Sequence, residues 1–203
     1  MKRILAYGDS NTWGFDPENF DRYSDEIRWT ALLQKALGND ALILGEGLNG
    51  RTTAFDDPEC GGRNGCTALP AILEADRPID MAIVMLGTND CKSVFKASAE
   101  DITAGMELCL KKIFDYVSPR KVLLICPFYL EEAALNFGND ERSLAVSREL
   151  EPAYKELADK YGSAFLAASD VVNASSVDGQ HLTAEGHRAL CEAVLPILVS
   201  MGV

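Results

Sequence analysis

Residues 1–14 read MKRILAYGDSNTWG. The apolar run from Ile4 to Tyr7 predicts a short buried strand over residues 2–7, and the Gly-Asp-Ser that follows predicts a tight turn at its end. A strand that runs into a turn and then a helix can hold a hydroxyl at the carboxyl edge of a parallel sheet, where open α/β sheets place their sites. Ser10 is therefore a candidate nucleophile, although these three residue types are also common in ordinary turns.

Short apolar runs alternate with helical patterns along the rest of the chain. Further strands are predicted over residues 41–44, 79–86, 121–126 and 164–167, and the second of these is apolar enough to be a central strand. Helices are predicted over about 29–37, 67–75 and 99–117, from about 140 to 161, and after a capping Thr183. Pro152 predicts a kink or restart in the long helix. This alternation predicts an α/β protein, a three-layer α/β/α sandwich with a five-stranded parallel sheet, as one domain over residues 1–203.

The composition is that of an ordinary globular protein, with 203 residues of which 47% are hydrophobic and 25% charged. The formal net charge of -12 argues against nucleic acid or an anionic membrane as the main partner, because phosphate contacts need clustered Lys and Arg. No apolar run approaches the length of about 18 residues that a membrane span needs. The N-terminus lacks the apolar region of a signal peptide, so we expect a cytoplasmic protein.

Six cysteines are scattered through the chain and none forms a Cys-x-x-Cys pair. Cys60 and Cys66 flank a glycine-rich loop, where they could pair or bind a metal ion, but the other metal ligands are missing. We therefore expect neither a metal site nor a cofactor.

Polar clusters follow four of the predicted strands, at the edge of the sheet where their carboxyl ends meet. They read GDS at 8–10, NGRT at 49–52, GTND at 87–90 and DGQH at 178–181. Together they suit acyl transfer: Ser10 as nucleophile, His181 as general base and acid, and Asp178 as the group that orients the imidazole. The backbone N–H groups of Ser10 and Gly50 and the side-chain amide of Asn89 could then bind a tetrahedral oxyanion.

Each cluster by itself also has an ordinary structural interpretation. An isolated Asp-x-x-His is typical of a surface turn, Gly50 of a turn glycine, and Asn89 of a helix cap. The other histidine, His187, falls within the predicted last helix, where a solvated or capping role is expected. The catalytic interpretation is favoured because all four clusters lie at strand ends of one chain.

With these blocks in order, the sequence resembles the SGNH (GDSL-type) hydrolase superfamily, whose four blocks carry Ser, Gly, Asn and His. Within it, the chain resembles most the mycobacterial arylesterase/acyltransferase type, through KRIL-x-x-GDS-x-TWG, EGL-x-x-RTT, the following DDP and MLGTND-x-K. The resemblance implies a flavodoxin-like sheet, a triad of Ser10, Asp178 and His181, and an oxyanion hole of Ser10, Gly50 and Asn89. It also implies hydrolysis of short-chain esters through an acyl-enzyme, with acyl transfer to alcohols or peroxide.

The chain departs from that pattern in three places. Asn11 stands where the GDSL pattern has Leu, which makes the floor beside the nucleophile more polar. Gly50 replaces the alanine of the arylesterase type. Segment 127–140 is shorter than in that type, in which insertions near this point help build an oligomer and a narrow apolar entrance.

Residues beside the blocks are candidates for contact with substrate: Asn11, Phe15, Arg51, Lys92 and Gln180. Phe15 is alternatively a packing residue, Lys92 an exposed lysine, and Arg51 a partner of the neighbouring Asp-rich loop.

The sequence thus predicts a serine esterase for short-chain, acetyl-like esters, with acetylated carbohydrates or aryl esters as substrates and a homo-oligomer as a possible assembly. One alternative is a thioesterase or lysophospholipase with the same triad. Another is a non-catalytic ligand- or nucleotide-binding module, but the chain has neither a phosphate-loop lysine nor G-x-G-x-x-G after a strand.

Overall fold

Five parallel strands form the central sheet of the computed structural model, which describes residues 1–203. In chain order they are β1 (Lys2–Gly8), β2 (Ala41–Gly47), β3 (Met81–Met85), β4 (Val122–Cys126) and β5 (Ala164–Ala167). Their spatial order is β2-β1-β3-β4-β5, which is the flavodoxin-like order. The predicted parallel sheet is confirmed, and the strand bounds agree with the sequence pattern to within about two or three residues at each end.

Six helices connect and cover these strands. They are α1 (Ser10–Trp13), α2 (Trp29–Leu37), α3 (Gly65–Asp76), α4 (Ala99–Phe114), α5 (Glu141–Tyr161) and α6 (Ala184–Ser200). A two-residue antiparallel ribbon, Phe15–Asp16 with Asp21–Arg22, follows α1. Of the kink or restart predicted at Pro152, the restart is wrong: α5 runs through the proline as one helix, with Leu150 and Tyr154 buried on either side of it. Tertiary packing on both sides compensates for the one backbone hydrogen bond that a proline removes.

Alternate side chains of each strand enter two separate cores. On β1, Leu5 and Tyr7 pack into a core of 27 buried residues that includes residues of α3, α4 and α5. Ile4 and Ala6 pack into a core of 19 buried residues that includes residues of α2 and α6. Because successive side chains point to opposite faces of a sheet, an apolar strand needs cover on both sides. The helices that cover the two cores form the outer layers of the predicted α/β/α sandwich.

The strand register brings the site loops together. Gly8, the last residue of β1, pairs with Gly47 on β2 and with Met85 on β3. The loops that follow these three strands therefore start side by side, at the point where the strand order reverses between β1 and β3. Open α/β sheets place binding crevices at such a switch point. None of the helices has the length and apolar character needed to cross a membrane.

Candidate active site

The hydroxyl of Ser10 lies at the start of α1, directly beyond the carboxyl end of β1. Asp9 is the N-cap of this helix, and its Oδ1 accepts the Asn11 N–H at 2.9 Å. Gly14, with φ +94°, ends the helix after one turn. Ser10 is only 5% exposed, so its environment is set by protein groups rather than by bulk water.

His181 connects Ser10 to Asp178. The Nε2 atom of its imidazole lies 2.9 Å from Ser10 Oγ, and Nδ1 lies 2.5 Å from Asp178 Oδ2. The second carboxylate oxygen, Oδ1, accepts the N–H groups of Gln180 and His181, both at 3.1 Å. Burial would raise the pKa of Asp178, but its hydrogen bond and charge interaction with His181, together with these N–H donors, hold that pKa below its ordinary value. Asp178 is therefore a buried acceptor that orients the ring.

The loop of Asp178 and His181 requires glycine at position 179. Gly179 has φ +67°, a region that side chains rarely adopt, and a Cβ there would lie 2.4 Å from Ala134 N. Its carbonyl accepts the Glu131 N–H at 2.9 Å, which ties the loop to the segment after β4. This close approach packs the loop of Asp178 and His181 against the segment after β4.

Three candidate oxyanion donors belong to residues that line the cavity beside Ser10 Oγ: the backbone N–H groups of Ser10 and Gly50 and the side-chain amide of Asn89. Asn89 follows β3, and its Nδ2 donates one hydrogen to Arg51 O at 3.1 Å, which leaves the other for a ligand. Gly50 has φ +77°, a left-handed conformation that favours glycine. Both residues line the same cavity as Ser10 and His181. Fixed donors around a nucleophile can stabilise a developing oxyanion.

The cavity has a volume of about 150 Å³. Phe15, Lys92 and Gln180 line it, and the Phe15 ring centroid lies 4.3 Å from that of His181. Asn49 and Thr88 also line it, although sequence reasoning gave them no role of their own. Their position in the sequence could have indicated this, since each directly precedes a candidate oxyanion donor. A larger open depression of about 720 Å³ lies elsewhere, between residues 131–136 and 173–176, and holds none of the four polar clusters.

Arg51 and Asn11 do not line this cavity, so the expectation that they contact substrate is corrected. Arg51 is 4% exposed; its guanidinium donates to Gly8 O at 2.8 Å and to Glu46 O and stacks on the Tyr7 ring at 4.3 Å. It thus ties the ends of β1 and β2 together and does not hold the Asp-rich loop. Asn11 is 2% exposed and binds backbone groups on either side of His181.

His187 is also corrected, because it is neither solvated nor a cap. It is fully buried between α6 and α2, where its Nδ1 accepts the Trp29 N–H at 3.4 Å. Burial lowers its pKa to about 3, so it is a neutral structural residue.

The six cysteines are all free thiols, and Cys60 and Cys66 are not paired with each other. Cys60 accepts the Arg63 Nε–H at 3.2 Å. The structure contains no group of three or more His, Cys, Asp or Glu side chains placed to hold a metal ion.

Comparisons with known proteins agree with this geometry. Residues 6–189 match the family described as GDSL-like Lipase/Acylhydrolase. A carbohydrate acetylesterase family member from Sinorhizobium meliloti superposes with a TM-score of 0.92 at 36% sequence identity, covering 99% of each chain. The native aryl esterase of M. smegmatis superposes with a TM-score of 0.92 at 33% identity, covering 99% of this chain and 100% of that one. No curated protein matches the sequence.

The family match covers most of the chain, and both similar structures align over nearly their whole length. The sheet order is the flavodoxin-like order that the family resemblance implied. The chain therefore belongs to the GDSL-like lipase/acylhydrolase family and is a carboxylic ester hydrolase.

Proposed function

We propose that the protein is a serine esterase that removes short, acetyl-like acyl groups through an acyl-enzyme on Ser10. The observation that carries this proposal is the position of His181, with Nε2 at 2.9 Å from Ser10 Oγ and Nδ1 at 2.5 Å from Asp178 Oδ2. A hydroxyl is a weak nucleophile at neutral pH unless an adjacent base takes its proton, and the base works best when a third group fixes its tautomer.

In the first half-reaction, Ser10 Oγ attacks the ester carbonyl carbon while its proton passes to His181 Nε2. The carbonyl oxygen becomes an oxyanion, which the N–H groups of Ser10 and Gly50 and the amide of Asn89 stabilise. The bond to the alcohol oxygen then breaks, and His181 returns the proton to that oxygen as the alcohol leaves.

In the second half-reaction, water takes the place of the alcohol. His181 accepts a proton from water as its oxygen attacks the acyl-Ser10 carbonyl, and Ser10 leaves with that proton to release a carboxylic acid. An alcohol or peroxide in place of water would receive the acyl group instead, so transfer uses the same residues.

The size of the cavity supports a small acyl group. At about 150 Å³ it is well below the roughly 300–1,000 Å³ of pockets that hold drug-sized ligands. Phe15 supplies one apolar wall beside the imidazole, and the other lining residues are polar or small. This suits an acetyl group near Ser10 and a polar or aromatic alcohol towards solvent. Acetylated carbohydrates and aryl esters fit that description, and the two similar structures are a carbohydrate acetylesterase family member and an aryl esterase.

The test is hydrolysis of p-nitrophenyl esters from acetate to octanoate by wild type and Ser10→Ala. We expect a steep fall in kcat/KM beyond acetate or butyrate, and loss of activity on every ester in the variant. A maximum at octanoate would instead favour a thioesterase or lysophospholipase. Wild-type rates in Ser10→Ala would contradict the assignment of the nucleophile, and serine-dependent release of acetate from acetylated xylan or acetylated glucose would support the carbohydrate substrate.

A further inference from the structure

Asn11 follows the candidate nucleophile directly, and its side chain points away from the cavity into the protein. The carboxamide makes two hydrogen bonds to the histidine loop: Nδ2 donates to Gln180 O at 3.1 Å, and Oδ1 accepts the Leu182 N–H at 3.0 Å. Gln180 and Leu182 are the neighbours of His181 on either side. One planar amide therefore holds both peptide groups that flank the imidazole.

Asn11 is itself held in place from two sides. Its backbone N–H donates to Asp9 Oδ1 at 2.9 Å, and its carbonyl accepts the Trp29 indole N–H at 3.0 Å. Because the side chain is 2% exposed, few water molecules can compete for its bonds. Its position is thus fixed relative to Ser10, on the same turn of helix.

The hydrogen bonds of Asp178 do not fix the histidine loop relative to Ser10. Asp178 binds His181 Nδ1 and two backbone N–H groups, but all of these belong to residues 178–181 of its own loop. Such bonds fix the internal shape of the loop and the tilt of the ring. These bonds do not fix the distance between the loop and Ser10, because Ser10 and His181 are 171 positions apart in the chain.

We propose that Asn11 is a positioning residue that sets the distance between His181 and Ser10, and that it does not contact substrate. This inference rests on the proposed role of His181 as general base. A misplacement of about 1 Å between reacting groups can reduce a rate by about 100-fold, so a residue that fixes this distance acts on kcat rather than on KM. In this chain a leucine at position 11 would leave Gln180 O and Leu182 N–H unpaired in a buried place.

The test compares Asn11→Leu and Asn11→Ala with wild type, using p-nitrophenyl acetate. We expect kcat to fall by at least about 10-fold in both variants, while KM changes by less than about twofold. Asn11→Ala is included because its smaller side chain leaves room for water at Gln180 O and Leu182 N–H, so the test still decides the matter should Asn11→Leu fail to fold. Thr12→Val is the matched control, since Thr12 is also 2% exposed and its hydroxyl has no hydrogen-bond partner. It should keep the wild-type kcat.

A second readout separates positioning from loss of loop structure. The proton shared by Asp178 and His181 in a 2.5 Å hydrogen bond should give a downfield ¹H resonance. In Asn11→Ala we expect this resonance to persist while kcat falls, because the pair is internal to the loop. An unchanged kcat would overturn the inference, and so would loss of the resonance together with kcat, since Asn11 would then maintain the loop itself. Should Ser10→Ala remain active, the proposed function fails, whereas an inactive Ser10→Ala with fully active Asn11 variants refutes this inference alone.

Discussion

Replacing Asp178 by asparagine should inactivate the protein without unfolding it. Asp178 Oδ1 accepts two backbone N–H groups at 3.1 Å, so the carbonyl oxygen of an asparagine must occupy that position. Its NH₂ group then faces His181 Nδ1, where the carboxylate oxygen stood at 2.5 Å. A donor in that place requires Nδ1 to be the acceptor, and the neutral ring then carries its proton on Nε2. The nitrogen that lies 2.9 Å from Ser10 Oγ can no longer take the serine proton.

The magnitude follows from this change of tautomer. Where the same exchange has been made in a serine protease triad, kcat falls by about 10⁴-fold, which corresponds to about 5 kcal/mol of transition-state stabilisation. We expect a similar loss of kcat on p-nitrophenyl acetate near neutral pH, with little change in KM. Asp140→Asn is the matched control, because Asp140 Oδ1 caps α5 by accepting the Ser143 N–H at 2.9 Å and Asn is an equally good cap. A kcat of Asp178→Asn within about tenfold of wild type, with a circular dichroism spectrum and melting temperature that match the control, would exclude this role of Asp178.

Two other substitutions test the oxyanion donor and a buried carboxyl. Asn89→Ala removes the Nδ2 donor that Arg51 O holds at 3.1 Å. We expect kcat on p-nitrophenyl acetate to fall by about 10²–10³-fold. A fall in kcat of less than about threefold would exclude Asn89 from the oxyanion hole. Burial raises the pKa of Asp90 from its ordinary value of 3.8 to about 7. Between these two pH values the folded state retains the proton that the unfolded chain releases, so this group's contribution to stability is lost as the pH rises from about 4 to about 7. Asp90→Asn keeps an acceptor for the Thr53 N–H at 2.8 Å and hydroxyl at 2.6 Å but cannot ionise, so its free energy of unfolding relative to wild type should rise by up to about 4 kcal/mol between about pH 4 and pH 8 in urea titrations. A pH-independent difference between the two proteins would show that Asp90 does not ionise in that range.

The sequence predicted the sheet and the loops that meet at its edge, because these features depend on the backbone pattern alone. Five apolar runs alternating with amphipathic helices predict a parallel sheet, and parallel strands necessarily bring their carboxyl ends to one edge. That rule placed Ser10, Asn89 and His181 together, although they are far apart in the chain. It works because strand direction, not side-chain packing, determines which loops are neighbours.

The wrong expectations concern side chains whose direction depends on tertiary contacts. Arg51 stands in a polar cluster and was expected near substrate, but the Tyr7 ring and two backbone carbonyls at the strand ends bind its guanidinium instead. His187 has the helical position of a residue that could face water, yet the Trp29 N–H faces it across the packed helices. Asn11 was likewise expected near substrate, but its side chain binds the histidine loop, which lies near the opposite end of the chain. No local pattern encodes such partners.

The central claim is that Ser10 carries the acyl group during turnover. The most direct measurement is to quench wild type and Ser10→Ala within the first turnovers on p-nitrophenyl acetate and to analyse the peptide containing residue 10 by mass spectrometry. We expect one added acetyl group on Ser10 in wild type, accompanied by a burst of p-nitrophenol, and neither in Ser10→Ala. Steady turnover with no acetyl group on that peptide, or full activity in the variant, would contradict the central claim.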